Sequence, residues 1–94
     1  MNKYLIEFLG TALLVFVVLY TGNYLAIGAT LAIIVLIGGK ISGGAYNPAV
    51  AIGMGMAGKI PKTAIVPYCV VEILGALLAL WLYKSIIKGK GRNK

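Results

Sequence analysis

Few side chains in this 94-residue chain could do chemistry, and their types exclude most reactions at once. Glu7 and Glu72 are the only acids, Cys69 is the only cysteine, and histidine is absent. A lone cysteine cannot close an internal disulfide, and with no histidine beside it neither thiol catalysis nor metal ligation is supported. Cys69 reads as a small buried apolar group. No enzyme activity, cofactor or metal site is expected. Both acids fall inside apolar segments, where an acid is expensive and functional by default.

The remaining polar feature is Ser42-Gly43-Gly44-Ala45-Tyr46-Asn47-Pro48-Ala49-Val50. Gly43 and Gly44 permit backbone conformations that a β-carbon forbids, which predicts an irregular turn. Asn47 is a strong N-cap residue, and Pro48 suits the first helical position, where its missing N–H costs nothing. The spacing predicts a helix from Pro48 to near Gly58, about 15 Å long at the helical rise. A bilayer core is about 30 Å thick, so this helix reaches half way across. Together with the glycine-rich run before it, it reads as a re-entrant loop over 40–58. Such backbone survives at membrane depth only when buried in protein or lining a wet cavity.

Composition supports the membrane setting. The chain is 61% hydrophobic and 12% charged, with mean hydropathy +0.97. A soluble domain carries about 25% charged residues. The net charge of +7 gathers at segment ends rather than on one face, which excludes a nucleic-acid partner and leaves membrane topology as its meaning. Glu7 and the lack of a small-residue cleavage site make the first apolar run a retained span rather than a signal peptide.

In chain order, the expectation is a single unit over 1–94: span one over 4–20, a polar turn at Thr21-Gly22-Asn23, and span two over 24–39. The re-entrant loop follows, then span three over 63–83 and a frayed basic tail over 84–94. Pro67 falls in the first turn of the third span or marks its start. Tyr4 and Tyr68 are expected near one interface, and Tyr20, Tyr24, Trp81 and Tyr83 near the other, as aromatic belts. Gly28-x-x-x-Ala32 and Gly75-x-x-x-Ala79 are small-xxx-small pairs suited to close helix approach.

Ser-Gly-Gly-x-x-Asn-Pro-Ala-Val resembles the signature of the aquaporin and glycerol-facilitator family, the major intrinsic proteins. Glu7-Phe8-Leu9-Gly10-Thr11-Ala12-Leu13-Leu14-Val15-Phe16 and Gly75-Ala76-Leu77-Leu78-Ala79 agree with it in order and spacing. The resemblance covers nearly the whole chain but only one half of the family's six-helix fold, which carries two inverted repeats. It implies an all-α membrane protein of three transmembrane helices plus one re-entrant half-helix, completed by an antiparallel second copy. The implied function is a passive channel for water or small neutral solutes such as glycerol, in the plasma (inner) membrane.

The site residues follow from the same resemblance. Asn47, Pro48 and Ala49 would stand at the pore midpoint, with the Asn47 amide N–H groups facing the pore while its oxygen caps the half-helix. The carbonyls of Gly43, Gly44 and Ala45 would line the approach. Glu7 would brace the loop by accepting its N–H groups; Glu72 stands where the family usually has glutamine, which leaves its protonation open. The family's filter arginine is replaced by Val50, and the other constriction positions fall on Ile27, Val35 and Gly44, all lacking a polar side chain.

Lys3, Lys40, Lys59 and Lys62 lie on one side, and Lys84, Lys88, Lys90, Arg92 and Lys94 on the other, four against five of the nine basic residues. The positive-inside rule gives no orientation from so even a count. That is the pattern of dual topology, which a half-repeat pairing with its own inverted copy requires. Four pores, hence eight chains surrounded by lipid, follow if the family's tetramer is kept. The rival readings are a proton-coupled dual-topology exporter using Glu7 and Glu72, a half-channel subunit needing a different partner half, and an inactive fragment.

Overall fold

The helices start and stop where local capping chemistry dictates. The computed structural model describes residues 2–91, and Met1, Arg92, Asn93 and Lys94 lie outside them, including two of the distal charges counted above. In order come α1 (Lys3–Thr21), α2 (Tyr24–Ser42), α3 (Pro48–Met56), a 3₁₀ turn (Lys62–Ala64) and α4 (Ile65–Gly91). The Asn2 side chain accepts from the Tyr4 N–H at 2.6 Å and starts α1. Gly22, left-handed at φ 54, ends it by donating to the Val18 carbonyl. Asn23 then caps α2 by accepting from the Ala26 N–H at 2.9 Å. The two caps reverse the chain within two residues.

Three helices are long and apolar enough to cross a membrane: Lys3–Thr21, Tyr24–Ser42 and Lys62–Gly89. At 1.5 Å per residue, α1 and α2 each span about 28 Å, close to the hydrocarbon thickness. The nine residues of α3 reach about half as far. The fold is therefore that of an all-α membrane protein, with a half-helix dipping between full spans.

Two boundaries differ from the sequence expectation. Span two does not end at Gly39 but continues through Lys40-Ile41-Ser42, because the left-handed cap is Gly43, at φ 90, whose N–H donates to the Gly39 carbonyl at 2.8 Å. The expected frayed tail is helical as far as Gly91, since Lys84-Ser85-Ile86-Ile87-Lys88 contains no breaker that would stop α4.

In the bundle α1 is central, with α4 packed on one side and α2 on the other, while α3 and the 3₁₀ turn lean on α4. Among the helices, α2 packs along its length mainly on α1. A small core of Ala45, Ala51, Ile60, Ala64 and Tyr68 seals α3 against α4, with Tyr4 edge-on to Tyr68 at 5.7 Å. Tyr68 is thus no belt residue: it is fully buried, and its hydroxyl donates to the Ser42 carbonyl at 2.6 Å, satisfying an orphan acceptor at the end of α2. Tyr20, Tyr24 and Trp81 are exposed, and Tyr83 is half-buried.

The two small-residue pairs have different fates. A β-carbon on Gly75 would stand 2.5 Å from the Phe8 carbonyl oxygen and 3.1 Å from the Ala12 nitrogen, so α1 and α4 touch backbone to backbone there. Nothing lies within 4 Å of a β-carbon on Gly28. Gly75→Ala should therefore destabilise the detergent-solubilised chain by about 1–3 kcal/mol, through forced separation of two helices. Gly28→Ala should leave stability unchanged or raise it by up to about 1 kcal/mol. Thermal unfolding followed by helical circular dichroism checks both, and equal losses would overturn the packing assignment.

Candidate functional site

The loop between α2 and α3 is folded back on itself by a run of unusual backbone. Gly43 and Gly44 have φ of 90 and 72, and Tyr46, which has a β-carbon, has φ of 55. Left-handed backbone at a bulky residue is strained and persists only where surroundings hold it. Two sets of contacts do so. The first is Glu7 of α1, completely buried, whose Oε2 accepts from the Ala45 N–H at 3.1 Å and whose Oε1 accepts from the Tyr46 N–H at 2.7 Å. Both carboxylate oxygens are thereby committed to backbone that would otherwise be unpaired in a low-dielectric interior.

The second is the Tyr46 ring, a residue that the sequence motif leaves unspecified. Its hydroxyl donates to the Ile34 carbonyl at 2.7 Å, across the α1–α2 junction. Its ring fills the space where side chains at Gly10 of α1 and Gly38 of α2 would have to stand. The signal that could have revealed it is the pair of glycines at Gly10 and Gly38, each on a helix face that otherwise carries large apolar residues. Ser42 completes the turn: its hydroxyl accepts from the Gly44 N–H at 3.1 Å and donates to the Gly38 carbonyl at 3.3 Å.

The loop delivers Asn47 in extended backbone, φ −158, at the start of α3. Its Oδ1 accepts from the Ala49 N–H at 2.8 Å, and its carbonyl accepts from the Ala51 N–H at 2.8 Å. The side chain is exposed, so the amide N–H groups opposite the capping oxygen are turned away from the helix they cap. Ala49 and Gly43 are also exposed, Pro48 and Gly44 are half-buried, and Ala45 is buried. Val50, 43% exposed, follows on the open side of α3. Val35 is 41% exposed, and a β-carbon on Gly44 would stand 3.4 Å from its Cγ2, so these two positions lie side by side. Ile27, half-buried, sits in the first turn of α2, at the far end from them. Cys69 is half-buried, its thiol 3.9 Å from the Pro48 carbonyl, a weak contact that suits a packing residue.

Glu72 of α4 is 1% exposed, and neither carboxyl oxygen completes a hydrogen bond. The Thr11 hydroxyl, 3% exposed, is likewise without a partner. Both line an open cavity of about 280 Å³ bounded by Leu14, Val15 and Val18 of α1, Ile73 and Ala76 of α4, and Tyr46, Asn47 and Pro48 at the tip of the half-helix. The cavity marks where α3 stops and the groove between α1 and α4 continues. No group of three or more potential metal ligands occurs among the described residues.

The hydrogen bonds of Glu7 generate a test. Glu7→Ala leaves two loop N–H groups unpaired, at about 1–3 kcal/mol each, and should mostly prevent the loop from forming. Glu7→Gln keeps one carbonyl acceptor and should preserve protection at one of the two amides. Hydrogen exchange at Ala45 and Tyr46 measures this directly. Unchanged protection of both in Glu7→Ala would show that the Tyr46 ring alone holds the loop.

The chain matches the Major intrinsic protein family over residues 1–94. It is 38% identical to "Glycerol uptake facilitator protein-like 6" of Lactiplantibacillus plantarum, over 97% of this chain and 46% of that protein. It is 36% identical to "Aquaporin Z" of Brucella melitensis, over 96% of this chain and 46% of that one. The chain thus spans about half the length of these curated relatives. No solved structure gives a significant match. With the family matched from end to end and three apolar spans flanking a capped half-helix, this integral membrane chain belongs to the major intrinsic protein family.

Proposed function

We propose that the chain forms one half of a passive channel for water and small neutral solutes of glycerol's kind, and that an antiparallel copy of the same chain supplies the other half. The observation that carries this reading is Asn47: an exposed amide at the N-terminus of a helix that reaches only half way through the membrane. A half-helix ending there presents roughly half a positive charge from its macrodipole. Two such ends facing each other oppose protons and cations, while the two asparagines donate to passing water or hydroxyl oxygens. The printed names of the relatives, a glycerol uptake facilitator-like protein and an aquaporin, support the same class of permeant. The groove beyond the α3 tip gives the partner's half-helix a place to enter.

Val50 of one chain, together with Val35 and Gly44, would then meet the partner's opposite end, near Ile27, at each mouth. Such a constriction offers no side-chain hydrogen bond and no charge, and favours neutral solutes over ions only through the paired dipoles. In a homo-octamer of four pores this arrangement would occur eight times. The plasma membrane is the proposed location.

Orientation tests the pairing. The near-even charge count predicts that C-terminal reporters are found on both sides of the membrane. Two or three lysines added at Thr21–Asn23 should bias insertion and lower permeation, and co-expression with an oppositely biased variant should restore it. A single orientation in every molecule would replace the homodimer with a different partner half. The permeant is tested by volume changes of proteoliposomes containing only this chain, challenged with an impermeant osmolyte and then with glycerol. Val50→Arg should slow glycerol more than water. An unchanged water-to-glycerol ratio in folded protein would remove Val50 from the constriction, and transport driven by a pH gradient would favour the exporter.

A further inference from the structure

The second buried acid has no task in the reading above, and its surroundings are specific. Glu72 of α4 lies beside Glu7 of α1 and faces the cavity at Tyr46 and Asn47, and neither of its carboxyl oxygens completes a hydrogen bond. Glu7 already accepts two N–H groups from Ala45 and Tyr46, so the donors on this side of the loop are spent on it. Thr11, one turn after Glu7 on α1, adds a third polar atom without a partner to the same cavity wall.

The ionisable groups around Glu72 are Glu7 from α1, Tyr46 from the loop, and Tyr68 and Cys69 from its own helix. The half-helix α3 carries no ionisable side chain, and Lys40, Lys59 and Lys62 are exposed at segment ends. No cation faces the pair among the described residues. Two carboxylates at one buried site cannot both ionise without a counter-charge, and a charge at membrane depth is costly even alone. Only one of the two has that charge compensated: Glu7 is held by two amide N–H groups at the entry to α3, where the helix dipole favours an anion.

We propose that Glu7 and Glu72 form a single proton-binding site, in which one proton is held on Glu72 and donated to Glu7. The ligand is a proton taken from water through the cavity beside Asn47. It bonds to one Glu72 oxygen, the resulting O–H donates to a Glu7 oxygen, and the pair carries one negative charge instead of two. Glu7 keeps both loop N–H groups. The protonated acid makes this bond with a proton that can leave. When it leaves, two carboxylates repel one another beneath the loop that positions Asn47. The site couples loop geometry to proton activity whether the chain pairs with itself or with another half.

Infrared spectroscopy of the chain in proteoliposomes tests this cleanly, because Glu7 and Glu72 are its only acidic side chains. The wild type at neutral pH should show the C=O band of one protonated carboxylic acid, and raising the pH should convert it to carboxylate. Glu72→Gln should lose that band while keeping hydrogen-exchange protection at Ala45 and Tyr46. A wild type with no protonated carboxyl at neutral pH would overturn the proposal, as would a band retained in folded Glu72→Gln. So would carboxylate bands that shift when sodium is exchanged for a larger cation, which would make the cavity's occupant a metal ion. A second measurement needs no variant: a hydrophobic carbodiimide, which attacks protonated acids, should modify Glu72 and spare Glu7 on peptide mapping. Modification of Glu7 instead would reverse the assignment.

Discussion

The two N–H groups that Ala45 and Tyr46 offer to Glu7 are the constraint on which the rest depends. A chain that turns back inside a membrane must expose backbone donors, and no water is at hand to meet them. One carboxylate, fixed on the central helix, meets both. Its own negative charge is offset by those donors and by the start of α3, so loop and acid stabilise one another where neither would be tolerated alone. The position of Asn47, the direction of α3 and the opening beyond its tip all follow from where that carboxylate sits.

Packing elsewhere is arranged to leave this centre undisturbed. The α1–α4 contact is made backbone to backbone at Gly75, which draws the helix bearing Glu7 and the helix bearing Glu72 together. The opposite helix, α2, packs mainly on α1 and is tied to the loop by the Tyr46 hydroxyl and to α4 by the Tyr68 hydroxyl, neither of which accepts an apolar substitute. Large apolar side chains remain exposed on α2 and α4, among them Leu36, Ile37, Val66 and Trp81. In lipid such exposure costs little, so it places no demand on the fold comparable with a single unpaired amide.

What the sequence reveals divides along the same line between local and distant causes. The starts of α1, α2 and α3 are legible because Asn2, Asn23 and Asn47 cap within three residues of themselves. The end of α2 is not, because Gly38, Gly39, Gly43 and Gly44 are equivalent as text and only the tertiary fold assigns the left-handed cap to Gly43. The bond from Glu7 to the loop spans 38 and 39 residues and is suggested by family resemblance, not by pattern. The burial of Tyr68 and the strain at Tyr46 escape the sequence for the same reason: each is decided by a hydroxyl that finds a carbonyl on another element. The basic stretch after Tyr83 reads as a tail by composition, yet it contains no proline and prolongs α4 through Gly89.

The Tyr46 ring has a consequence for how such a sequence can drift. Three positions far apart in the chain, Gly10, Gly38 and Tyr46, occupy one volume between them. A methyl group gained at either glycine evicts the ring, and a smaller residue at position 46 leaves both glycines without a reason to stay small. Heritable change at this junction must therefore be concerted, with the first step in any direction the least fit. The size of a single ring helps to hold the turn before Asn47, and two glycines are its record in the text.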